Sequence, residues 1–226
     1  GRAALLPLRQ TVELLPASPG GEVVESGETT RSILTSGVSK AENESCLPVK
    51  VFVGHVLSLV GKCDRILIPV VRSTREKVYN CSRFLGLPDV TRAVVPEAPP
   101  ILEIEFDISR GKWYLYRQIW ELGRHFTRNA ITIRRAARHA WQVFNDYRDL
   151  MLKERLTRLE AIAVMEKVSQ AGDTGSREGT AVIGLVGHPC VLYDDEISHR
   201  LIRRLNSQGV RILTPEMAPA AEAAGE

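Results

Sequence analysis

The sequence predicts an α/β protein made of two parallel-sheet, Rossmann-like domains, the second of them incomplete, with a helical segment between them. A helical pattern leads into a buried-strand pattern at residues 49–68, and a strand, a helix and a strand follow one another at 180–213. Between these stretches, residues 111–168 contain no proline and read as helical. The predicted parts are a first domain at 1–109, a helical segment at 110–169 and a second domain at 180–216.

The first domain is predicted from a helix that precedes a buried strand. Apolar residues recur at helical spacing from Val49 to Val60, just after Pro48, whose fixed φ suits a first helical turn. The short aliphatic run Arg65–Ile68 is typical of a strand covered on both faces. Pro69 is expected to end the pairing of this strand because proline has no N–H to donate. The alternating segment Ile101–Asp107 predicts a further strand.

The helical segment combines arginines with aromatic residues and has only Gly123 as an internal breaker, which predicts two or three helices. One interpretation is a nucleic-acid surface. The favoured interpretation is a set of amphipathic helices with aromatic side chains in the core and arginines in water, and a nucleic-acid partner is not expected. The aromatic members are Trp113, Tyr116, Trp120, Phe126, Trp141, Phe144 and Tyr147.

The second domain is predicted from a β, α, β order that follows a Gly-rich linker at Gln170–Gly179. Thr180–Val186 is predicted as a buried strand, Glu196–Asn206 as a helix and Val210–Leu213 as the next strand. The Ala-rich tail that follows has no core-forming pattern, so the second domain is expected to be incomplete.

Composition narrows the function classes. The net charge of +3 does not by itself argue for nucleic acid, and no apolar run reaches the roughly 18 residues of a membrane span. Four cysteines at irregular spacing do not form a disulfide framework in a chain of 226 residues. A cytoplasmic location is the default expectation, and there the cysteines are metal ligands, redox groups or buried thiols.

The cysteines are distributed between two edges of the first predicted sheet. Cys46 precedes the helix and Cys81 follows the strand, so both are expected at the edge where strands end, which is the edge where open α/β sheets bind ligands. A helix N-terminus also favours the thiolate, the form that binds metal. Cys63, between helix and strand, is expected at the opposite edge. Cys46 and Cys81 are therefore candidate metal ligands, with buried thiols as the alternative.

Two further residues belong to this hypothesis. Cys190 follows a predicted strand end and so shares the predicted edge with Cys46 and Cys81. Lys50, in the first turn of the helix, is placed to offset the negative charge of a thiolate cluster, although a solvated lysine is the commoner case.

Two blocks of sequence resemble a known family. ESCLPVK, ILIP, YNC and FLGLPD in the first block, and the segment Ile183–Glu216 in the second, resemble the acyl-CoA dehydratase activase-related proteins, relatives of the iron-sulfur subunits of 2-hydroxyacyl-CoA dehydratases. The resemblance implies an iron-sulfur cluster of the 4Fe-4S type held by cysteines, an ATP-dependent activase as partner, and an acyl-CoA as a possible substrate. At Cys190 the sequence departs from the family pattern, which has an aromatic residue there.

Two functions follow as hypotheses. In the first, the chain is an iron-sulfur redox protein that the activase reduces, with Cys46, Cys81 and Cys190 as ligands and Lys50 beside the cluster. In the second, it is a cluster-free scaffold or regulatory module that binds the activase. The sequence contains neither G-x-G-x-x-G nor G-x-x-x-x-G-K-[ST], so any use of ATP is expected in the partner.

Overall fold

The structure is a computed structural model that describes residues 23–75, 78–166 and 181–217. The chain divides between Ala137 and Arg138 into two compact units, called here the first and the second unit. The first unit contains, in order, helices α1 (Arg31–Lys40) and α2 (Leu47–Leu59), strands β1 (Ile66–Arg75) and β2 (Val78–Tyr79), helices α3 (Ser82–Leu85) and α4 (Leu87–Val94), strand β3 (Ile101–Asp107), a 3₁₀ turn (Ile108–Arg110) and helix α5 (Gly111–Arg124).

The unit boundary falls within the long helix α6 (Ala130–Lys153). The second unit continues with helix α7 (Arg158–Met165), strand β4 (Val182–Gly184), helices α8 (Pro189–Leu192) and α9 (Leu201–Ser207), strand β5 (Arg211–Leu213) and a 3₁₀ turn (Pro215–Met217). The predicted linker Gln170–Gly179 lies outside the described residues.

Helices α1 and α2 cross with their backbones in contact. A Cβ atom on Gly37 of α1 would lie 1.9 Å from the carbonyl oxygen of Lys50, and one on Gly54 of α2 would lie 2.0 Å from that of Ile33. Only glycine at both positions allows so close a crossing. The N-terminus of α1 is capped by Thr30, whose hydroxyl accepts the N–H of Ile33 at 3.2 Å.

The sheet of the first unit has the strand order β2-β1-β3, with β1 parallel to β3 and antiparallel to β2. The expectation that Pro69 ends the pairing of β1 is wrong, since Pro69 pairs with Ile104 and the strand continues to Arg75. The N–H of Ile66 donates to Pro100 on the β3 side. Because successive residues alternate in direction, the nitrogen of Pro69 points away from β3, where no ladder bond is lost.

One hydrophobic core joins this sheet to helices α2 and α4. Ile68 is 1% exposed and Val53 is completely buried. Burying one such aliphatic side chain stabilises the fold by about 1.5–3 kcal/mol. The buried members of the core are Ala41, Val49, Val53, Val56, Ile66, Ile68, Leu87 and Val95.

Helix α5 covers the outer edge of β3. The side-chain oxygen of Gln118 accepts the backbone N–H of Glu105 at 3.2 Å, and the hydroxyl of Tyr114 donates to the Glu105 carboxylate at 2.6 Å. Helix α5 thereby satisfies a backbone donor that an edge strand would otherwise leave open.

Residues 111–166, the described part of this stretch, form α5, α6 and α7, in agreement with the prediction of two or three helices. Helix α7 begins with a capping box formed by Thr157 and Glu160. The expectation that the aromatic side chains lie in the core is wrong for most of them, although Tyr147 is buried. The exposed ones are Trp113, Tyr116, Trp120, Trp141 and Phe144.

In the second unit β4 pairs in parallel with β5, from Val182 opposite Arg211 to Gly184 opposite Leu213. Strand β4 lies within the predicted Thr180–Val186 segment. The expectation that this strand is buried is wrong, since Val182 is 56% exposed.

The predicted helix Glu196–Asn206 is shorter in the structure. Residues 195–200 form turns, and α9 starts only at Leu201. The carboxylate of Asp194 does accept the N–H groups of Glu196 and Ile197, as an N-cap would. The helix does not continue from there because His199 and Arg200 have positive φ values of 53° and 58°, outside the right-handed helical region.

The protein is therefore a mixed α/β protein with a parallel strand pair in each unit, as the sequence predicts. A Rossmann-like topology requires a longer parallel sheet with helices on both faces. Within the described residues each unit has one parallel pair of strands, so the Rossmann-like topology stays a prediction.

Candidate functional site

Cys46 lies at the N-terminus of α2, as its N-cap residue, and is exposed to solvent. Helix α2 packs in one core with β1 and joins it through the short connection 60–65, so it runs back along the strand. Its 13 residues span about 20 Å at roughly 1.5 Å per residue. Cys46 is therefore directed to the carboxyl end of β1.

Lys50 stabilises the loop that carries Cys46. Its ammonium group donates to the backbone carbonyl of Asn43 at 2.9 Å. The backbone carbonyl of Lys50 is the atom that approaches Gly37, so α1 packs directly against this turn of α2. Lys50 thus makes a local structural contact, and its predicted place beside a cofactor stays a prediction.

Cys81 lies beside the carboxyl half of β1. The residue before it, Asn80, donates its backbone N–H to Arg72 at 2.8 Å and its side-chain amide to the carbonyl of Val71 at 2.7 Å. Cys81 follows directly, is exposed, and is the N-cap residue of the four-residue helix α3. Cys46 and Cys81 are thus both accessible thiols in the first unit, and their place in one shared ligand site stays a prediction.

Cys63 lies in the connection between α2 and β1, at the amino end of the strand. Its thiol is 3.6 Å from the carbonyl oxygen of Leu59 and packs against the hydrophobic core. Burial raises the pKa of the Cys63 thiol, which lowers the fraction of reactive thiolate.

Cys190 belongs to the second unit. It lies in the first turn of α8, after the carboxyl end of β4, and its side chain is partly exposed. Its place in a ligand set with Cys46 and Cys81 stays a prediction.

The cysteine thiols of the chain can be compared with the ligands that an iron-sulfur cluster requires. A 4Fe-4S cluster is held by four cysteine thiolates. Within the part of the chain that the structure describes, no group of three or more His, Cys, Asp or Glu side chains is close enough to hold a metal. Cys46 and Cys81 supply two thiols, so the described residues do not fit a complete cluster site.

The sequence analysis missed a buried polar cluster at the carboxyl ends of β1 and β3. Ser73 and Asp107 are 1% and 3% exposed, and the Ser73 hydroxyl donates to the Asp107 carboxylate at 2.7 Å. The N–H and hydroxyl of Ser109 also donate to this carboxylate. Hydrogen bonds from Ser109 and Ser73 lower the pKa of Asp107. The signal available in the sequence is a polar residue directly after each buried run.

A second polar group links β1, β3 and α5. The Arg72 guanidinium pairs with the Glu105 carboxylate, which also accepts the Tyr114 hydroxyl. Burial acts to raise the pKa of Glu105, but the hydrogen bonds from Tyr114 and Arg72 outweigh it and hold that pKa below its ordinary value. Since the backbone of Arg72 also holds Asn80, this group connects α5 to the segment before Cys81.

The second unit has its own polar cluster at the carboxyl end of β5. Glu216 accepts the Tyr193 hydroxyl at 3.0 Å and pairs with Arg158 at 3.2 Å, and the guanidinium lies 5.2 Å from the centre of the Tyr193 ring. Burial raises the pKa of Tyr193 to about 12, and it also raises the pKa of Tyr147. Among the described residues the buried Tyr147 hydroxyl has no hydrogen-bond partner.

A small pocket opens at the other end of the first sheet. Its volume is about 190 Å³, and it is bordered by Arg92, Val95 and the loop Pro99–Ile101. Ligand pockets usually measure about 300–1,000 Å³, so this one is small for a cofactor.

Among the helices of the described residues, none combines the length and the apolar character that crossing a membrane requires.

The fold and the site define a mixed α/β protein with two accessible thiols beside a short parallel sheet. Residues 15–218 match the family described as the CoA enzyme activase uncharacterised domain (DUF2229). The match covers about nine-tenths of the chain, and the protein belongs to this family. No curated protein and no solved structure was found to match the chain.

Proposed function

We propose that this protein is a binding module of a CoA enzyme activase system, a scaffold or regulatory module that binds an ATP-dependent activase without holding a cluster of its own. The observation that carries this proposal is the exposure of all three tryptophans of the chain. Trp113 is 82% exposed, Trp141 62% and Trp120 36%.

Tryptophan is a large, costly residue to leave in water, and on average it is highly buried. At protein–protein interfaces it is enriched among the residues that contribute most to binding, together with tyrosine and arginine. The same helices carry exposed Tyr116 and a series of arginines. This composition supports binding to another protein, and membership of an activase family supports an activase as that protein.

A second candidate is the iron-sulfur redox protein that the sequence resemblance implies. It is favoured by one observation: Cys46 and Cys81 are both exposed, while Cys63 is partly buried. Cys190 would supply a third thiolate, the fourth ligand would come from another chain or from a side chain other than cysteine, and an acyl-CoA would be the substrate. Both candidates place the chain in the cytoplasm, where thiols stay reduced.

Anaerobic purification followed by two measurements separates these candidates. Binding to the purified ATP-dependent activase is measured by isothermal titration calorimetry, and bound iron by elemental analysis together with the visible absorption spectrum. The proposed module binds the activase and contains iron only at background level. A brown protein with stoichiometric iron would favour the second candidate, and a failure to bind the activase would contradict the first.

Cysteine variants sharpen the distinction. If the second candidate is right, Cys46→Ser and Cys81→Ser each lose most bound iron and the matched control Cys63→Ser retains it. If the binding module is right, all three variants bind the activase as the wild type does, because none of these thiols lies on α5 or α6, where the exposed tryptophans are.

A further inference from the structure

We propose that the outward face of α5 is the surface that binds the activase, through a patch on the partner that is apolar at its centre and rich in carboxylates at its rim. The outward face consists of Trp113, Tyr116 and Trp120, with Lys112 and Arg124 at its two ends. This inference rests on the proposed function and names the surface and the chemistry of the partner.

The three aromatic residues form a single stripe. They are spaced i, i+3 and i+7, which places them within about 60° of one another around the helix and about 10 Å apart from first to last. Trp113 is 82%, Tyr116 63% and Trp120 36% exposed. A contiguous aromatic face of this kind, rimmed by polar residues, marks an interaction site.

The opposite face of α5 is already fully used. Tyr114 and Gln118 hold Glu105 on β3, and Leu122 is buried. The last turn of α5 is fixed separately, since a Cβ atom on Gly123 would lie 2.7 Å from the side chain of Ile133 at the start of α6. The helix cannot rotate to bury its tryptophans without breaking these contacts, and the aromatic stripe stays available to a partner.

The charges on this face indicate the partner's chemistry. Arg117 pairs with Glu121 at 2.8 Å, and Glu121 also accepts the Gln118 amide, so the one acidic residue of the face is neutralised. Within the described residues neither Lys112 nor Arg124 forms an ion pair. The face is therefore apolar at its centre and positive at both ends, which complements carboxylates around an apolar patch.

A protein fits this face better than a nucleic acid does. Lys112 and Arg124 lie about 18 Å apart along the helix axis, at roughly 1.5 Å per residue. A single-stranded nucleic acid is bound by a positively charged groove that follows the backbone continuously. Two cations separated by a neutralised aromatic stripe do not form such a groove, whereas Trp and Tyr at a centre with charges at the rim is the usual arrangement in protein interfaces.

The central test compares the double variant Trp113→Ala, Trp120→Ala with the matched control Tyr79→Ala, an aromatic side chain 61% exposed on β2 at the opposite edge of the sheet. Binding to the purified activase is measured by isothermal titration calorimetry. The double variant is expected to raise the dissociation constant about 30-fold or more, the effect of losing a hot spot, and the control to leave it within about twofold. Unchanged circular dichroism and melting temperature establish that both variants are folded.

A charge variant tests the partner's chemistry separately. Lys112→Glu together with Arg124→Glu is expected to weaken binding about tenfold at low salt and to reduce the salt dependence of the dissociation constant, because rim charges act through long-range attraction. Tighter binding by this variant would overturn the assignment of a carboxylate-rich partner surface.

The other outcomes are each decisive. If the wild type and the double variant bind the activase equally well, α5 is not the binding face and the proposed function stands. The same holds if Trp141→Ala loses binding while the double variant keeps it. If the wild type does not bind the activase, the proposed function fails and this inference fails with it. Binding of a mixed-sequence single-stranded oligonucleotide that the double variant loses, or self-association that it abolishes, would assign the face to nucleic acid or to a second copy instead.

Discussion

The two parallel strand pairs of this protein come from similar sequence signals and differ in burial. In the first unit Ile68 and Ile104 are each 1% exposed. In the second unit Ile212 on β5 is 5% exposed, but Val182 and Ile183 on β4 are 56% and 39% exposed. Both β1 and β4 arise from short aliphatic runs. An aliphatic run therefore predicts a strand, but whether the strand is buried depends on what packs against it.

The difference follows from the neighbours of each pair. In the first unit α2 and α4 share one core with β1, and α5 covers the edge of β3. In the second unit the described part of β4 is exposed at all three of its residues. The same substitution should therefore cost more in β1 than in β4.

The largest effect is expected from removing a core side chain. Ile68→Ala should lower the free energy of unfolding by about 4 kcal/mol, because it leaves a cavity at a position that is 1% exposed. The matched substitution Ile183→Ala, at 39% exposure, should cost less than about 1 kcal/mol. Urea unfolding followed by circular dichroism measures both. Equal losses would show that the two sheets are buried to the same extent in solution.

The next effect concerns the crossing of α1 and α2. Gly54→Ala should cost about 3 kcal/mol, since the new Cβ would lie 2.0 Å from a backbone oxygen that cannot move alone. Gly184→Ala on β4, which has no atom within 4 Å of the added Cβ, is the control and should change stability by less than about 0.5 kcal/mol. Hydrogen exchange should locate the loss of protection in α1 and α2. A Gly54→Ala protein as stable as the wild type would show that the helices do not cross this closely.

The smallest effect is expected at high pH, in the second unit. Burial raises the pKa of Tyr193 to about 12, so the neutral phenol is favoured in the folded state, while in the unfolded state a tyrosine ionises near pH 10. The resulting stability is complete below pH about 10 and is lost as pH rises from about 10 to about 12. Glu216 also favours the neutral phenol, whereas Arg158 and the hydrogen bond from Thr214 oppose this shift.

Urea unfolding at a series of pH values tests this sign. Tyr193→Phe should show a smaller loss of stability between pH 10 and pH 12 than the wild type, although Tyr147 and Tyr114, whose pKa values are raised as well, keep part of the dependence. A loss of the same size in both proteins would exclude Tyr193 as a titrating group in this range.

Local signals predicted much of the first unit. The strand Ile101–Asp107 has the predicted bounds, and α2 is Leu47–Leu59 against the predicted Val49–Val60. The strand β1 continues past its predicted end because the effect of Pro69 depends on which side its nitrogen faces, and that depends on the register with β3. Periodicity alone does not contain this information.

Long-range contacts explain the other differences between the sequence predictions and the structure. The aromatic residues of α5 have the spacing of a buried stripe, but that helix instead uses Tyr114 and Gln118 to cover β3 and turns its tryptophans to solvent. The Ser73–Asp107 hydrogen bond joins residues 34 positions apart, so the polar residues at the two strand ends are visible in the sequence but their contact is not. Chain order alone predicts an edge of the sheet for Cys46 and Cys81, but it left their exposure open, and the structure shows both as exposed thiols.

The hydrogen bond from the Glu105 backbone to Gln118 also affects how the edge of the sheet can pair with another strand. An incoming strand from another molecule needs an uninterrupted row of N–H and C=O groups along a sheet edge. On the outer side of β3 that row is occupied at Glu105 by a side chain of α5. On the outer side of β1 it lacks a donor at Pro69, and the Val71 carbonyl is taken by Asn80. Within the described residues, the backbone rows along both edges of the β1–β3 pair are therefore interrupted, which disfavours the addition of a strand from another molecule.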